Sequence, residues 1–252
     1  MRILLINPNT SESVSNLIEA EARRAASAST HIDVVTAPFG VAYIETRFES
    51  LIGAYAAANL AAEHAGDYDA LVIAAFGDPG LWGIREAVDI PVMGLTEAAL
   101  MSACMLGNRF SIIAISHRIT AWYRECVQAN GLAGRLASIR CLQQPLRDIG
   151  TVQADHEARL RELCLQAIEE DGADVLVLAG APLAGLARTI RNDIPVPLVE
   201  GVSSAVRHAE TLISLAPGLA NRGSFAPPPH KPNQGLSAAM QALLAHGHPP
   251  AA

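Results

Sequence analysis

The sequence predicts an α/β protein with two pseudo-symmetric halves, each a doubly wound parallel sheet, and a ligand cleft between the halves. Short apolar runs alternate with helix-length segments along the chain, as in parallel sheets covered by helices. The chain is 50% hydrophobic and only 4% aromatic, so the core is aliphatic. The tetrapeptide Asp-Ile-Pro-Val occurs at 89–92 and again at 193–196, each time after a similar strand–turn–helix unit. This recurrence indicates an internal duplication.

The first half is expected to span residues 1–105. An apolar run at 2–7 predicts a strand that ends at Pro8, and Thr10 or Ser11 can cap the helix that follows. A second strand is expected at 32–36 and a helix at 47–64. The fully apolar run at 71–75 predicts a strand buried on both faces, and 91–94 predicts the fourth strand.

The second half is expected to span residues 106–200 and to repeat this order. Strands are predicted at 110–115, 138–142, 175–178 and 197–199, with helices around Trp122 and at 155–170. A helix around 201–215 is expected to complete the first half. Residues 216–252 read as a Pro-rich tail with a short helix at 236–245, followed by a solvated end that contains His246 and His248.

Charge and cysteine content exclude several classes of function. The formal net charge is −7 and Lys231 is the single lysine, so neither nucleic acid nor an anionic membrane is an expected partner. The sequence shows no secretory signal and no apolar stretch of membrane-spanning length, which predicts a cytoplasmic protein. The four cysteines, Cys104, Cys126, Cys141 and Cys164, lack metal-ligand spacing and are expected to be reduced, small buried residues.

A binding site is expected beyond the carboxyl ends of the strands, where open parallel sheets bind ligands. The segments that follow strand ends are 7–10, 75–80, 94–97, 116–118, 179–182 and 200–201. Their glycines and turn amides suit a small carboxylate or a cyclic imide. The sequence contains no dinucleotide, phosphate-loop or zinc-protease motif, so a dinucleotide or nucleoside-triphosphate enzyme is not supported and no metal site is expected.

Several stretches together resemble the hydantoin racemase pattern. They are Ile6-Asn-Pro-Asn-Thr10, Ala42-Tyr-Ile-Glu45, Ile73-Ala-Ala-Phe-Gly-Asp-Pro-Gly-Leu81, Pro91-Val-Met-Gly94 and Val177-Leu-Ala-Gly-Ala-Pro-Leu-Ala-Gly185. The chain is identified by this resemblance as a member of the aspartate/glutamate racemase superfamily, on the hydantoin and allantoin racemase branch. The resemblance implies a cofactor-independent homo-oligomer. It also implies that a proton is removed from, and returned to, the carbon beside a carbonyl of hydantoin, allantoin or an amino-acid-like carboxylate.

The resemblance places the family's two catalytic cysteines at Ala75 and Gly180. Neither residue can carry a proton, so a mechanism with two thiols is impossible in this chain. His117 is a candidate substitute base, because it follows the fifth strand and imidazole titrates near neutral pH, although a surface histidine is the alternative. Asp78 is expected to brace its own turn, and Glu45 and Glu97 at most to orient a substrate.

Substrate-binding residues are also predicted from the matching motifs. They are Asn9, Thr10, Tyr43, Glu45, Phe76, Gly77, Asp78, Thr96, Ser116, Arg118 and Ala181. Two alternatives to racemisation stay open at this stage. One is a protein that binds a small carboxylate or hydantoin without turnover, and the other is a decarboxylase or isomerase with a substituted base.

Overall fold

A computed structural model describes residues 1–143 and 148–245 of the chain. The first half contains strands β1 (Arg2–Asn7), β2 (His31–Thr36), β3 (Ala70–Ile73) and β4 (Val92–Gly94), with helices α1 (Glu12–Ala25), α2 (Arg47–His64), α3 (Leu81–Ala87) and α4 (Leu95–Leu106). The second half contains β5 (Phe110–Ala114), β6 (Leu136–Cys141), β7 (Val175–Ala179) and β8 (Leu198–Glu200), with α5 (Thr120–Ala129), α6 (Val152–Glu169), α7 (Leu186–Ile190) and α8 (Gly201–Leu215). A last helix, α9, covers Ala238–Ala245.

The two sheets have the same topology, which confirms the predicted architecture of two α/β halves. Each has four parallel strands, in the orders β2-β1-β3-β4 and β6-β5-β7-β8. β6 begins two residues before its predicted start, because Leu136 pairs with Phe110 at the beginning of β5. α6 begins three residues before its predicted start, directly after the 3₁₀ turn Ile149–Thr151.

Helix boundaries follow capping chemistry. Ser11 is the N-cap of α1, and its side-chain oxygen accepts a hydrogen bond from the amide of Val14 at 3.4 Å. α2 begins with a capping box, in which the Thr46 hydroxyl accepts from the Glu49 amide and the Glu49 carboxylate accepts from the Thr46 amide. This box fixes the start of α2 at Arg47, as predicted, and ends the loop that leads to it from β2.

The first sheet is buried on both faces, and successive residues of its strands alternate between two clusters. Leu4 and Ile6 of β1 face a cluster formed with α2 and α3. Ile3 and Leu5 face the opposite way, into a larger cluster that continues into the second sheet. The alternation follows from the two-residue period of a strand. The core of the two halves is therefore continuous across the middle of the molecule.

The two halves also exchange a helix. α4 follows β4 of the first sheet but packs against β7 and β8 of the second. α8 follows β8 of the second sheet but packs against β3 and β4 of the first, as well as against α1 and α4. Each half thus lays its last helix on the sheet of the other half.

The repeated tetrapeptide does not occupy equivalent strand positions. Val92 ends the first copy and begins β4, where it pairs with Leu71. Val196 ends the second copy two residues before β8, whose first residue Leu198 pairs with Leu176. The additional residues Val196 and Pro197 shift the second half, so that Gly94 and Glu200 are the matching strand ends.

The chain beyond α8 returns to the first half. α9 packs against α2, and the Ser237 hydroxyl donates to the side-chain oxygen of Asn59 at 3.4 Å. His246 and His248 lie outside the described residues. Within the described part of the chain, no helix combines the length and the apolar character that crossing a membrane requires.

Candidate functional site

A cavity of about 40 Å³ lies between the two halves, where the carboxyl ends of their strands meet. Its wall is formed by Asn9, Tyr43, Ile44, Glu45, Ala75, Phe76, Ile115, Ile119, Tyr123, Ile149, Gly180, Ala181 and Pro182. Three connections from each half therefore converge on it. Because one water needs roughly 10–15 Å³ on this measure, only a compact ligand suits the space. The predicted position of a site, at the strand ends between the halves, agrees with this cavity.

Ala75 and Gly180, the positions of the family's cysteines, both lie in the cavity wall. Ala75 follows β3 and Gly180 follows β7, so the two positions are equivalents in the duplicated fold. Gly180 has a φ of +114°, a conformation that side-chain-bearing residues rarely adopt. A cysteine at 180 would therefore require the turn to change its backbone conformation. The chain has adapted this turn to glycine.

The connection between β2 and α2 supplies polar groups to the cavity. Tyr43 and Glu45 both line it and are half-buried. Burial raises the pKa of Tyr43, and the charge of Glu45 and a hydrogen bond between the two side chains raise it further. The Tyr43 phenol therefore stays protonated and can donate a hydrogen bond. The amide of Glu45 donates to the Glu49 carboxylate at 2.8 Å, so the start of α2 holds this loop in place.

Asn9 supplies a further polar group and is itself tightly held. Its amide donates to the side-chain oxygen of Asn7 at 3.3 Å, and its own side-chain oxygen accepts from Asn7 at 3.1 Å and from the Ser11 amide at 2.9 Å. These bonds fix the turn between β1 and α1. The prediction for Asn9 relied on the family motif, and the structure adds that Asn9 is buried at the edge of the cavity.

Tyr123 of α5 lines the cavity and was missed by the sequence analysis. Its ring lies 4.6 Å from that of Phe76 and 5.6 Å from that of Trp122, measured between centroids. Burial raises the pKa of Tyr123 strongly, and the charges of Asp78 and Glu45 contribute in the same direction. The phenol is thus a permanent hydrogen-bond donor. The sequence carries no signal for Tyr123, because α5 reaches the cavity only through the packing of the two halves.

Asp78 was predicted to brace its own turn, but its carboxylate caps the start of α4 and connects the turn to that helix. Its carboxylate accepts from the amides of Thr96 at 2.8 Å and Glu97 at 2.9 Å. The Thr96 hydroxyl in turn accepts from the Gly77 amide at 2.5 Å. Burial raises the pKa of Asp78 to about 7, and the Glu97 charge adds to the rise while the two amides oppose it. Asp78, Gly77 and Thr96 therefore hold the turn after Ala75 and do not line the cavity.

The remaining predicted residues also lie away from the cavity wall. His117 and Arg118 are exposed, whereas the neighbouring Ser116 is buried and accepts from the Arg118 amide at 3.2 Å. The amide of Thr10 donates to the carbonyl of Val41 at 3.0 Å. Glu97 forms an ion pair with Arg85 at 2.6 Å. The surface position of His117 gives no support to its use as a base.

The four cysteines divide into two pairs. Cys141 and Cys164 are buried, as expected, but Cys104 and Cys126 are only half-buried. Cys126 lies behind the turn after Ala75 and lines a separate 260 Å³ pocket with Gly77, Asp78 and Trp82. Burial raises the pKa of Cys126 to about 12, and the charge of Asp78 contributes, so the group is a thiol rather than a thiolate. Cys126 is close to the first turn in space although it is distant in sequence.

The turn after β7 is braced by a residue of the second half. The side-chain amide of Gln153 donates to the carbonyls of Pro182 at 2.9 Å and Ala184 at 2.8 Å. Ile149, just before α6, lines the cavity beside this turn.

Within residues 1–143 and 148–245, no cluster of three or more His, Cys, Asp or Glu side chains could hold a metal ion.

Comparison with known proteins agrees with this architecture. The sequence profile of the family "Asp/Glu/Hydantoin racemase" matches residues 3–209. A hydantoin racemase of Paenarthrobacter aurescens is 34% identical over 239 residues, which cover 92% of this chain and 99% of the relative. An allantoin racemase from Klebsiella pneumoniae has a TM-score of 0.89 and 34% identity, covering 96% of this chain and 98% of that one. An allantoin racemase from Pseudomonas fluorescens has a TM-score of 0.86 and 32% identity, covering 93% and 100%.

The family profile covers most of the chain, and the relatives match it nearly end to end at about one third identity. The two equivalent sheets and the cavity between their strand ends give the physical basis of that likeness. The chain therefore belongs to the Asp/Glu/hydantoin racemase family, on the branch of the hydantoin and allantoin racemases.

Proposed function

We propose that the cavity binds a small hydantoin, allantoin or amino-acid-derived carbonyl compound and that Glu45 moves the proton on the carbon beside the carbonyl. One observation carries this proposal. Among the described residues that line the cavity, Glu45 supplies the single carboxylate, and it shares that wall with both positions of the family's cysteines. Of the four substitute groups weighed from the sequence, His117, Asp78 and Glu97 lie outside the wall.

The proton transfer is balanced within the cavity. The Glu45 carboxylate takes the proton from carbon, and the bonding electrons move onto the carbonyl oxygen to form an enolate. Tyr43 and Tyr123 keep their protons, because burial raises the pKa of each, and their phenols can donate to that oxygen as charge develops. The return of the proton from Glu45 to carbon regenerates both partners. No cofactor is required for these steps.

The position of the carboxylate has a stereochemical consequence. Glu45 belongs to the first half, whereas Gly180, in the equivalent of the second catalytic position, has no side chain. Inversion needs one proton-transferring group on each face of the carbon. Here the Glu45 carboxylate serves the face toward the first half, and position 180 supplies no such group to the other face. The proposal therefore predicts that exchange of the proton with solvent is faster than inversion of the stereocentre.

The test is to incubate the protein in D₂O with single-enantiomer hydantoins and to follow loss of the carbon-bound proton by NMR and optical rotation in parallel. Exchange above a protein-free control is expected, with slower loss of rotation. Glu45→Gln should reduce the exchange rate by roughly 10²-fold or more, a typical contribution of a general base. Glu63→Gln, the same change on the exposed surface of α2, is the matched control.

Other outcomes point elsewhere. Exchange that survives Glu45→Gln but disappears in His117→Ala would overturn the assignment in favour of the histidine. Ligand binding without any exchange would identify a non-catalytic member of the family. Restoring thiols at positions 75 and 180 would then ask whether the scaffold still supports racemisation, with the φ of Gly180 as the obstacle.

A homo-oligomer in the cytoplasm is also proposed. Phe48, Leu51 and Tyr55 on α2 are 72%, 68% and 48% exposed, and Trp82 of α3 is 51% exposed. A cluster of large exposed apolar side chains is typical of a surface that another chain covers. Light scattering with Leu51→Glu as the test variant would measure the assembly.

The four free cysteines are consistent with a reducing compartment, such as the cytoplasm.

A further inference from the structure

The wall of the cavity differs between the two halves. Of the six residues from the first half, Asn9, Tyr43 and Glu45 are polar. Of the seven residues from the second half, Tyr123 alone has a polar side-chain group, and the others are Ile115, Ile119, Ile149, Gly180, Ala181 and Pro182. A duplicated fold therefore encloses a space with one polar side and one aliphatic side.

The aliphatic side is built to stay dry. Ile115, Ile119 and Ile149 are 7%, 1% and 8% exposed, and they come from two connections of the second half, the first two from β5–α5 and the third from β6–α6. Because Gly180 has no side chain, the space beside it, next to Pro182 and Ile115, is open. A β-carbon at this position would lie 3.5 Å from the nearest side-chain atom of Pro182 and 3.9 Å from that of Ile115. Space that a thiol would occupy is thus bordered by aliphatic carbon.

A polar substituent placed against this wall would lose its water without gaining a partner. An alkyl substituent would gain contact with three isoleucines and a proline. A hydantoin has both characters, because its ring carries amide donors and carbonyl acceptors and its fifth position carries the substituent. The ring can face Asn9, Tyr43 and Glu45 while the substituent faces the isoleucines.

We propose that the second-half wall of Ile115, Ile119, Ile149 and Pro182 selects compounds with a small alkyl group on the carbon beside the carbonyl, and rejects those with a ureido or carboxylate group there. The proposal rests on the proposed function for the identity of the ring, but not for turnover. It separates 5-alkylhydantoins, which the wall favours, from allantoin, whose substituent is a ureido group. The small cavity volume limits the alkyl group to a few carbons.

The test is binding, measured by calorimetry with 5-methylhydantoin, 5-isopropylhydantoin, allantoin and hydantoin-5-acetic acid. We expect 5-isopropylhydantoin to bind at least tenfold more tightly than allantoin, with 5-methylhydantoin between them, because a hydrophobic pocket discriminates by roughly tenfold or more per carbon. Hydantoin-5-acetic acid should bind most weakly. Allantoin binding as tight as that of 5-isopropylhydantoin would overturn the proposal.

Substitutions assign the preference to the wall. Ile149→Thr should reduce the ratio between the two affinities severalfold, and Ile149→Val should leave it nearly unchanged. Ile168→Thr on α6, a half-buried isoleucine outside the cavity, controls for the general effect of the change. A ratio that is equal in the wild type and in folded Ile149→Thr would contradict the role of this wall, and the wild-type series decides the question if that variant does not fold.

The two proposals fail separately. Loss of exchange in the NMR experiment, with alkyl selectivity intact in calorimetry, would remove the proposed chemistry and retain the selectivity. Robust exchange on allantoin, with no preference for alkyl compounds in calorimetry, would retain the proposed chemistry and remove the selectivity.

Discussion

α4 and α8 begin at equivalent points of the two halves, yet different residues accept hydrogen bonds from the free backbone amides of their first turns. At α8, Glu200 accepts hydrogen bonds from the amides of Val202 at 2.7 Å and Ser203 at 2.6 Å, so the helix is capped by its own N-cap residue. At α4 the equivalent residue is Gly94, and the carboxylate of Asp78 arrives from the turn after β3. Both helices thus obtain a buried carboxylate at the positive end of their dipole.

The difference lies in what each carboxylate holds besides its helix. Asp78 connects α4 to the turn that follows Ala75, so the cap of one element fixes the wall of the cavity. Glu200 caps α8 alone and leaves the turn after β7 to Gln153. Duplication has preserved the electrostatic requirement of each helix while changing the residue that meets it and the loop that depends on it.

The largest expected effect concerns pH. The folded pKa of Asp78 lies near 7, above its value of 3.8 in an unfolded chain, so folding favours the protonated group. The stability that this provides is complete below about pH 4 and is lost as pH rises through about 7. Relative to Asp78→Asn, the wild type should lose roughly 3 kcal/mol across this range.

The measurement is urea denaturation of both proteins between pH 4 and pH 8. Glu200→Gln should show a trend of the same sign, because burial also raises the pKa of Glu200. Asp67→Asn, the same substitution at an exposed aspartate, is the control. A difference between wild type and Asp78→Asn that is constant with pH would contradict the assignment of the raised pKa.

The second prediction converts the α4 arrangement into that of α8. A β-carbon at Gly94 would lie 2.2 Å from the carboxyl carbon of Asp78, so Gly94→Glu alone should cost about 2 kcal/mol or more through overpacking and a second buried carboxylate. Gly94 is extended, as Glu200 is, and a glutamate fits that backbone. The double variant Asp78→Gly/Gly94→Glu should recover much of the loss.

A double-mutant cycle from chemical denaturation checks this pair. Additive costs would show that the two positions do not substitute for each other, against the equivalence inferred from the strand register. The double variant should also weaken ligand binding, because its new cap no longer holds the turn beside the cavity.

The smallest expected effect is at the second turn. Gln153→Ala removes two hydrogen bonds to the carbonyls of Pro182 and Ala184 and should cost about 1 kcal/mol, since part of the loss is met by water. Ligand affinity should fall with it, as the turn carrying Gly180 loosens. Gln128→Ala, at an exposed position of α5, supplies the comparison in thermal denaturation and calorimetry. If the two substitutions changed stability and ligand affinity equally, Gln153 would have no specific role in positioning the turn.

Local chemistry explains which parts of the fold were predictable. α2 was predicted at its observed residues, and the capping box of Thr46 and Glu49 gives the local chemical reason for its start. β8 begins at Leu198, one residue after its predicted start, because Pro197 separates the repeated tetrapeptide from the residue that pairs with Leu176, and short motifs do not record register. The architecture was accessible because the alternation of strands and helices is a local pattern.

The site was predictable where it lies at strand ends and unpredictable where packing brings other elements in. Ala75, Gly180 and Asn9 belong to predicted segments that follow strands, whereas Glu45 was found through the family motif at 42–45. Tyr123 and Ile149 reach the cavity from α5 and from the segment before α6, and only the contact between the halves places them there. His117 was predicted from its position after β5, but the 3₁₀ turn that begins at His117 directs it to the surface.

The crossed placement of α4 and α8 has a consequence for the origin of the chain. Two separate copies of one half, each giving its final helix to the sheet of the other, would form a domain-swapped dimer. The present chain has the architecture of such a dimer joined into one polypeptide, in which each copy can change without the other. One copy could then specialise in polar recognition and the other in aliphatic enclosure, which a symmetric pair of identical subunits cannot do.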